Sequence, residues 1–254
     1  MSEQKKDILG ENDSALGMRL NKYLSDAGYC SRREADRLVE AGKVLINGLP
    51  AVMGQKVMEG DRVEIDGQVI SRNDRLILLA FNKPKGIVCT TDRVREKNNI
   101  IDYIGYPERI YPIGRLDKDS EGLILLTNDG SLVNHILKAS QYHEKEYVVR
   151  VEKPVTEEFL AGMASGVPIL DTVTRPCKVR RLNDYTFSIV LTQGLNRQIR
   201  YMCRYFDYHV RHLKRVRIMN IQLGSLEKGK YREVTASELA NLKQAFLKNQ
   251  DPKA

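Results

Sequence analysis

The stretch that most constrains this chain is residues 111–130, YPIGRLDKDSEGLILLTNDG. An apolar run ending in Ile113 leads into Gly114-Arg115-Leu116-Asp117, and a polar turn gives way to Gly122-Leu-Ile-Leu-Leu126. Five uninterrupted apolar or small residues bounded by turn signals predict a strand buried on both faces. Asn128-Asp129-Gly130 predicts a second turn, with Ser131 as N-cap of a helix through Ile136 and Leu137. Asp117 is thereby expected on a polar loop held at both ends by buried strands, a common way to aim a reactive side chain.

Three local readings compete for Asp117-Lys-Asp119-Ser-Glu121-Gly122. The D-x-D-x-E-G spacing mimics the start of a calcium loop, but position twelve is Asn128 and the flanks read as strands. An aspartyl phosphotransfer site would want a magnesium site that nothing else in the chain supplies. A solvated turn with capping acids is the plainest of the three.

Composition narrows the class. At 254 residues the chain suffices for one large domain or two unequal ones. No apolar run approaches the ~18–20 residues that span a bilayer, and residues 1–17 predict a disordered polar tail without a signal-type segment. Cys30, Cys89, Cys177 and Cys203 are scattered and form no ligand spacing, so neither a disulfide framework nor a metal site is expected. Reduced thiols suit the cytoplasm. Lys plus Arg exceed Asp plus Glu by 41 to 33, which favours a polyanionic partner. Arg197 to Arg217 holds seven Lys or Arg and one acid, Asp207, and reads as a basic stripe.

In chain order, residues 18–66 predict two helices and a small sheet. Leu20, Tyr23, Leu24 and Ala27 recur at helical spacing before Gly28, Ser31 and Glu34 form a capping box, and Asn47-Gly48 signals a hairpin. Arg19, Lys22, Arg32, Arg33, Arg37 and Lys43 crowd the helical part, as a solvated face or a phosphate-tracking surface. Residues 67–75 read as a polar linker. From 76 to 248 the pattern is strand-rich and punctuated by helices: strands at 76–81, 87–91, 145–152, 173–179, 185–191 and 216–223. Helices are expected after Thr156, over Arg197–Phe206 capped by Asn196, and from the Thr235–Glu238 capping box. This order predicts an α+β module on a largely antiparallel mixed sheet flanked by helices.

RLNKYLSDAGYCSRREADRLVEAGKVLINGLPA resembles the S4 RNA-binding domain, which favours the phosphate-tracking reading of its basic face. Gly-Arg-Leu-Asp117 followed by Ser-Glu-Gly-Leu-Ile-Leu-Leu-Thr-Asn-Asp-Gly resembles the signature of RNA pseudouridine synthases of the RsuA/RluB/RluF branch. Lys-Pro-x-Gly at 83–86, Lys-Glu-Tyr at 145–147 and Gly-Leu-Asn-Arg-Gln-Ile-Arg at 194–200 resemble further motifs of that family, and residues 144–179 follow its RluF-type subgroup closely. The resemblance implies Asp117 as the catalytic carboxylate and Tyr147 as the ring stacked on the target base, its hydroxyl available for proton transfer. It implies Arg200 as the cation that keeps Asp117 ionised, so an Asp117–Arg200 ion pair is expected. Ile199 would pack the other face of the base, Arg115 would enter the RNA stack in place of the flipped nucleotide, and Asn196 and Arg197 would contact RNA. Tyr201 departs from the Arg usual after Gln-Ile-Arg, removing one expected phosphate contact.

The implied reaction isomerises one uridine of large-subunit (23S) rRNA, with a tRNA anticodon loop as a second substrate, in a monomeric cytoplasmic enzyme without cofactor, metal or membrane. A synthase acting on 16S rRNA and a non-catalytic S4-type RNA-binding assembly factor are the alternatives.

Overall fold

The computed structural model describes residues 17–72, 75–137 and 142–248. The expected tail at 1–17 lies outside them except for Gly17. Two compact units divide the chain: residues up to Ile77 with Tyr106–Ile110 and Thr127–Leu132, and the remainder.

The N-terminal unit contains β1 (Met18–Arg19), α1 (Leu20–Asp26), α2 (Arg32–Glu40), β2 (Val44–Ile46), β3 (Leu49–Pro50), β4 (Lys56–Val57), β5 (Val63–Ile65) and β6 (Gln68–Val69). Leu20, Leu24, Ala35 and Val39 of the helices pack on Val44, Ile46, Val63 and Ile65 of the sheet. The sheet runs β3-β2-β5-β6, all antiparallel. Strand β6 occupies part of the expected linker. Asp66 and Gly67 both have positive φ (48° and 78°), the same two-residue turn geometry as Asn47-Gly48 (53° and 80°). They fold Gln68 back onto Ile65 instead of leading away. Asp-Gly is a hairpin signal, and the polar residues after it masked that reading. In the predicted Ser31 capping box only one half forms. Ser31 Oγ accepts from the Glu34 amide at 3.2 Å, while Glu34 turns to Arg37.

Beyond Ile77 the chain continues with β7 (Leu78–Lys83), α3 (Ile100–Ile104), β8 (Tyr111–Ile113), β9 (Glu121–Thr127), α4 (Gly130–Leu137) and β10 (Lys145–Val151). After these come α5 (Glu157–Ser165), β11 (Pro168–Ile169), β12 (Thr172–Val173), β13 (Lys178–Asn183), β14 (Thr186–Leu191) and α6 (Gln198–Tyr205). Then follow β15 (Val210–Ile218), β16 (Ile221–Gln222), β17 (Tyr231–Glu233) and α7 (Ala236–Lys248). The main sheet runs β13-β14-β10-β15-β9-β7-β17, with β8 beside β9 and β16 beside β15. Its pairings are mostly antiparallel; β15 and β9 run parallel. Leu123 to Leu126 are all fully buried, which explains their unbroken apolar run. Phe159, Leu160 and Met163 of α5 and Ile199, Met202 and Cys203 of α6 cover Val149, Phe187, Ile189 and Leu213 of the sheet.

Several local expectations are corrected. Residues 87–91 make no strand, only an isolated bridge from Val88 to Asn99. The run 173–179 is broken: Pro176, which lacks an amide donor, separates β12 from β13. The last central strand runs from Val210 to Ile218, not from the expected 216; only Leu213, Arg215 and Ile218 of it are buried, an irregular pattern crowded with charges that hides the strand from an apolar-alternation reading. Asp129, not Ser131, caps α4; its Oδ1 accepts from both the amide and hydroxyl of Ser131 at 2.8 Å. Asn196 does not cap α6. The cap position belongs to Arg197, in the left-handed region (φ 48°, ψ 30°) with no side-chain cap bond, and Gln198 reaches back to the Leu195 amide at 3.1 Å.

Candidate active site

Asp117 lies where the sequence places it, on the loop between β8 and β9. Two bonds from the segment after β7 clamp that loop. The Gly86 amide donates to the Lys118 carbonyl at 2.7 Å, and the Leu116 amide to Cys89 Sγ at 3.4 Å. The Ser120 amide closes the turn on the Asp117 carbonyl at 3.1 Å. Beyond the turn, Gly122 (φ +105°) lies against β15; a Cβ there would stand 2.2 Å from the Arg215 carbonyl oxygen. The loop is thus pinned on both flanks, which fixes the direction of the Asp117 carboxylate.

That carboxylate opens into a cleft of about 1280 Å³, whose lining includes Arg115, Asp117, Lys145, Tyr147, Ile199 and Arg215. Asn196 and Arg197 line it too, so this cleft gathers sequence candidates 82 residues apart, from Arg115 to Arg197. Arg115, Asn196 and Arg197 are exposed and Ile199 is buried. Ile199 belongs to the apolar cluster against which Tyr147 packs, so one apolar floor carries both residues expected to flank a base.

The expected Asp117–Arg200 ion pair is absent among the described residues. Arg197 takes that place, with Nη1 3.7 Å from Asp117 Oδ2. Arg197 also grips Asp119 with both terminal nitrogens, at 3.2 and 3.0 Å. Arg200 sits on Asp119 Oδ2 at 3.2 Å, and its Nη2 lies 3.4 Å from Ser120 Oγ. The physical reason is the left-handed turn at Arg197, which swings its guanidinium over the loop one helical turn ahead of Arg200. The result is one carboxylate, Asp119, shared by two guanidinium groups. Burial, the largest single influence on Asp119, raises its pKa, but the Arg197 bonds and both positive charges outweigh it and hold the carboxyl below its ordinary value. Arg197 is raised in turn, chiefly by its hydrogen bond to Asp119.

On the inner side, Arg215 is 3% exposed and its Nε donates to the Leu123 carbonyl at 2.7 Å. Lys145 Nζ donates to the His143 carbonyl at 3.2 Å, and burial, with the charge of Arg215, pushes Lys145 down to about 8. Sequence reasoning missed Asp119, Lys145 and Arg215 as site residues. Lys145 stood within Lys-Glu-Tyr, and Arg215 was absorbed into the basic stripe. That stripe does not exist as one surface: Arg215 is buried, Arg217 pairs with Glu144 and Glu146 at 3.0 Å, and Arg197 and Arg200 are held by Asp119.

On the N-terminal unit, Arg19, Arg32, Arg33, Arg37 and Lys43 are exposed and Lys22 is half-buried. Among the described residues no helix is long and apolar enough to cross a membrane.

Residues 77–205 fit the RNA pseudouridylate synthase model and residues 18–63 the S4 domain. The chain belongs to the RNA pseudouridine synthase family and carries an S4 domain ahead of its synthase domain. It is 55% identical over 226 residues to the dual-specificity RNA pseudouridine synthase RluF of Salmonella typhi, covering 88% of this chain and 78% of that one. It is 34% identical to the ribosomal large subunit pseudouridine synthase B of Bacillus subtilis, covering 89% and 95%. A crystal structure of a pseudouridylate synthase superposes with a TM-score of 0.66 at 29% identity, covering 89% of this chain and all of the other.

Proposed function

We propose that this enzyme converts a uridine of 23S rRNA, and one in a tRNA anticodon loop, to pseudouridine. The observation that carries the reading is the Asp117 carboxylate on its clamped loop, in one cleft with Tyr147 and Ile199. The name of the Salmonella relative, which states dual specificity, supports two substrates, and its identity spans most of both chains. The uridine flips out of its helix into the cleft, where Tyr147 and Ile199 flank the ring and Arg115 fills the gap in the RNA. Asp117 assists cleavage of the C1′–N1 bond; the base turns and C1′ joins C5. One hydrogen leaves C5 and one is gained at N1, so the formula is unchanged and no oxidant or energy donor enters.

Arg197 takes the role expected of Arg200. It stands 3.7 Å from the Asp117 carboxylate and orients it, while Arg200 acts through Asp119 to hold the loop. The exposed cations of the N-terminal module, Arg19, Arg32, Arg33, Arg37 and Lys43, with Lys22, add phosphate contacts. The module from residue 18 is read as extending through β6, with the synthase module following from about residue 76. The enzyme works as a cytoplasmic monomer.

The test maps pseudouridine in 23S rRNA, 16S rRNA and tRNA from cells lacking the gene, before and after incubation with the purified enzyme. New pseudouridine in 23S rRNA and in a tRNA anticodon loop is expected. Modification confined to 16S rRNA would overturn the substrate assignment. No modification in any RNA, with binding intact, would favour the non-catalytic RNA-binding alternative.

A further inference from the structure

Several cations in the larger unit meet carboxylates. Arg197 and Arg200 share Asp119, Arg217 holds Glu144 and Glu146, and Lys228 and His212 flank Glu121 at 2.9 and 3.6 Å. Lys145 and Arg215 differ. Both line the cleft of Asp117, and neither has a carboxylate within ion-pair distance among the described residues. Among the described residues, Arg215 Nη2 is buried without a hydrogen-bond partner, and Lys145 has two donors left after its bond to the His143 carbonyl. The two are neighbours by construction. On antiparallel β10 and β15, Tyr147 faces Arg215, with a bulge between Glu146 and Tyr147. Lys145, two residues before Tyr147, also opens into the cleft, and the Arg215 guanidinium carbon lies 6.0 Å from the Tyr147 ring centre.

Burying two like charges without a counter-charge is unfavourable, and a folded chain that keeps them holds unspent donors for something anionic. Burial and surroundings decide between the two anions RNA can offer, a backbone phosphate and the base. Arg215 is almost wholly buried beside the ring of Tyr147, an apolar wall that suits a planar heterocycle better than a hydrated phosphate.

We propose that Lys145 and Arg215 form a two-cation oxyanion site that binds the carbonyl oxygens of the flipped uracil and stabilises the negative charge those oxygens acquire during isomerisation. This rests on the pseudouridylation reading. If Asp117 engages C1′, cleavage of C1′–N1 leaves the bonding pair on the base, delocalised over N1, O2 and O4. If Asp117 adds to the ring, the displaced ring pair moves onto a carbonyl oxygen. In the first route C5 then attacks C1′ and displaces the Asp117 carboxylate. In the second C1′–N1 breaks, C5 bonds C1′ and the carboxylate is eliminated from the ring. In both the charge lies on uracil oxygens before C5 bonds C1′, and C5 finally loses its proton while N1 gains one. Fixed donors aimed at charge that develops only during reaction accelerate the chemical step more than binding.

The test is single-turnover pseudouridine formation at saturating 23S rRNA transcript, with affinity measured separately. Lys145→Met is expected to slow the chemical step about 10²-fold, the typical loss for one oxyanion donor. RNA affinity should stay within about threefold, and Lys145→Arg should recover part of the rate because it restores a cationic donor. Arg215→Gln should slow the same step; should it fail to fold, the Lys145 pair still decides. A Lys145→Met rate near wild type would overturn the proposal. So would equal losses in rate and affinity, the signature of a phosphate contact. Wild-type enzyme inactive on every rRNA and tRNA would instead remove the reading beneath it, an outcome distinguishable because no variant is involved.

Discussion

The two sides of the Asp117 cleft solve the same electrostatic problem in opposite ways. On the loop side, Arg197 and Arg200 converge on Asp119, a half-exposed carboxylate, and Arg197 leans 3.7 Å from Asp117. On the inner side, half-buried Lys145 and buried Arg215 have only carbonyl partners among the described residues. A satisfied ion network holds geometry, since each charge is fixed by the others. An unsatisfied buried pair stores an interaction for a group that arrives with substrate. The first side therefore sets where the carboxylate points, and the second responds to what happens on the base.

The largest effect expected is at Asp117 itself. Asp117→Asn keeps the shape and removes the charge, so single-turnover conversion should fall to background while RNA affinity stays within about threefold. Residual conversion would show that the loop side does not carry the chemistry, and the comparison would collapse.

Separating the two loop-side arginines comes next. Arg197→Gln removes the guanidinium closest to Asp117 together with the bidentate grip on Asp119, whereas Arg200→Gln leaves that grip intact. Charge-assisted hydrogen bonds contribute about 1.5–3 kcal/mol, so the Arg197 change should slow the chemical step roughly 10- to 100-fold and the Arg200 change less. The reverse order would restore Arg200 as the direct partner, with the contact forming only when RNA binds.

A third kind of cation, exposed and phosphate-directed, should behave differently from both. Replacing Arg32, Arg33 and Arg37 by Gln should leave the single-turnover rate at saturation unchanged. The slope of log affinity against log salt should become shallower by about two, given roughly 0.7–0.9 counterions released per phosphate contact. An unchanged slope would mean that this helical face is merely solvated.

The smallest effect sharpens the inner side by stability. Lys145 has its folded pKa depressed to about 8 by burial and the Arg215 charge. Between about 8 and the ordinary lysine value near 10.5 the folded chain binds fewer protons than the unfolded one, so stability rises with pH across that window. The cost of the buried charge is fully present below pH 8 and relieved above about 10.5. Lys145→Met should consequently melt a few degrees higher than wild type at pH 7, with the advantage shrinking towards pH 10. A lysine kept for packing would give the opposite sign.

The sequence by itself determined the family, the S4 module and the strand-rich second module, because each leaves a contiguous trace. Leu123 to Leu126 announce a central strand, Asn47-Gly48 a hairpin, and Gly-Arg-Leu-Asp117 a loop between strands. It also pointed to Tyr147, Ile199, Arg115, Asn196 and Arg197, all of which line one cleft with Asp117. Where it fell short, the deciding facts lay in backbone handedness and pairing. Asp66-Gly67 looked like the start of a linker until β6 paired with β5. Only the left-handed turn at Arg197 selects Arg197 over Arg200 as the neighbour of Asp117, and three residues of separation along the chain contain no hint of that choice. Arg215 looked like one charge in a basic run. The parallel pairing of β15 with β9, made possible because Gly122 has no Cβ to clash, is what buries it beside Tyr147. Charge counted along a chain says nothing about which guanidinium meets a carboxylate and which is left waiting; that is settled by strands brought together from 92 residues apart.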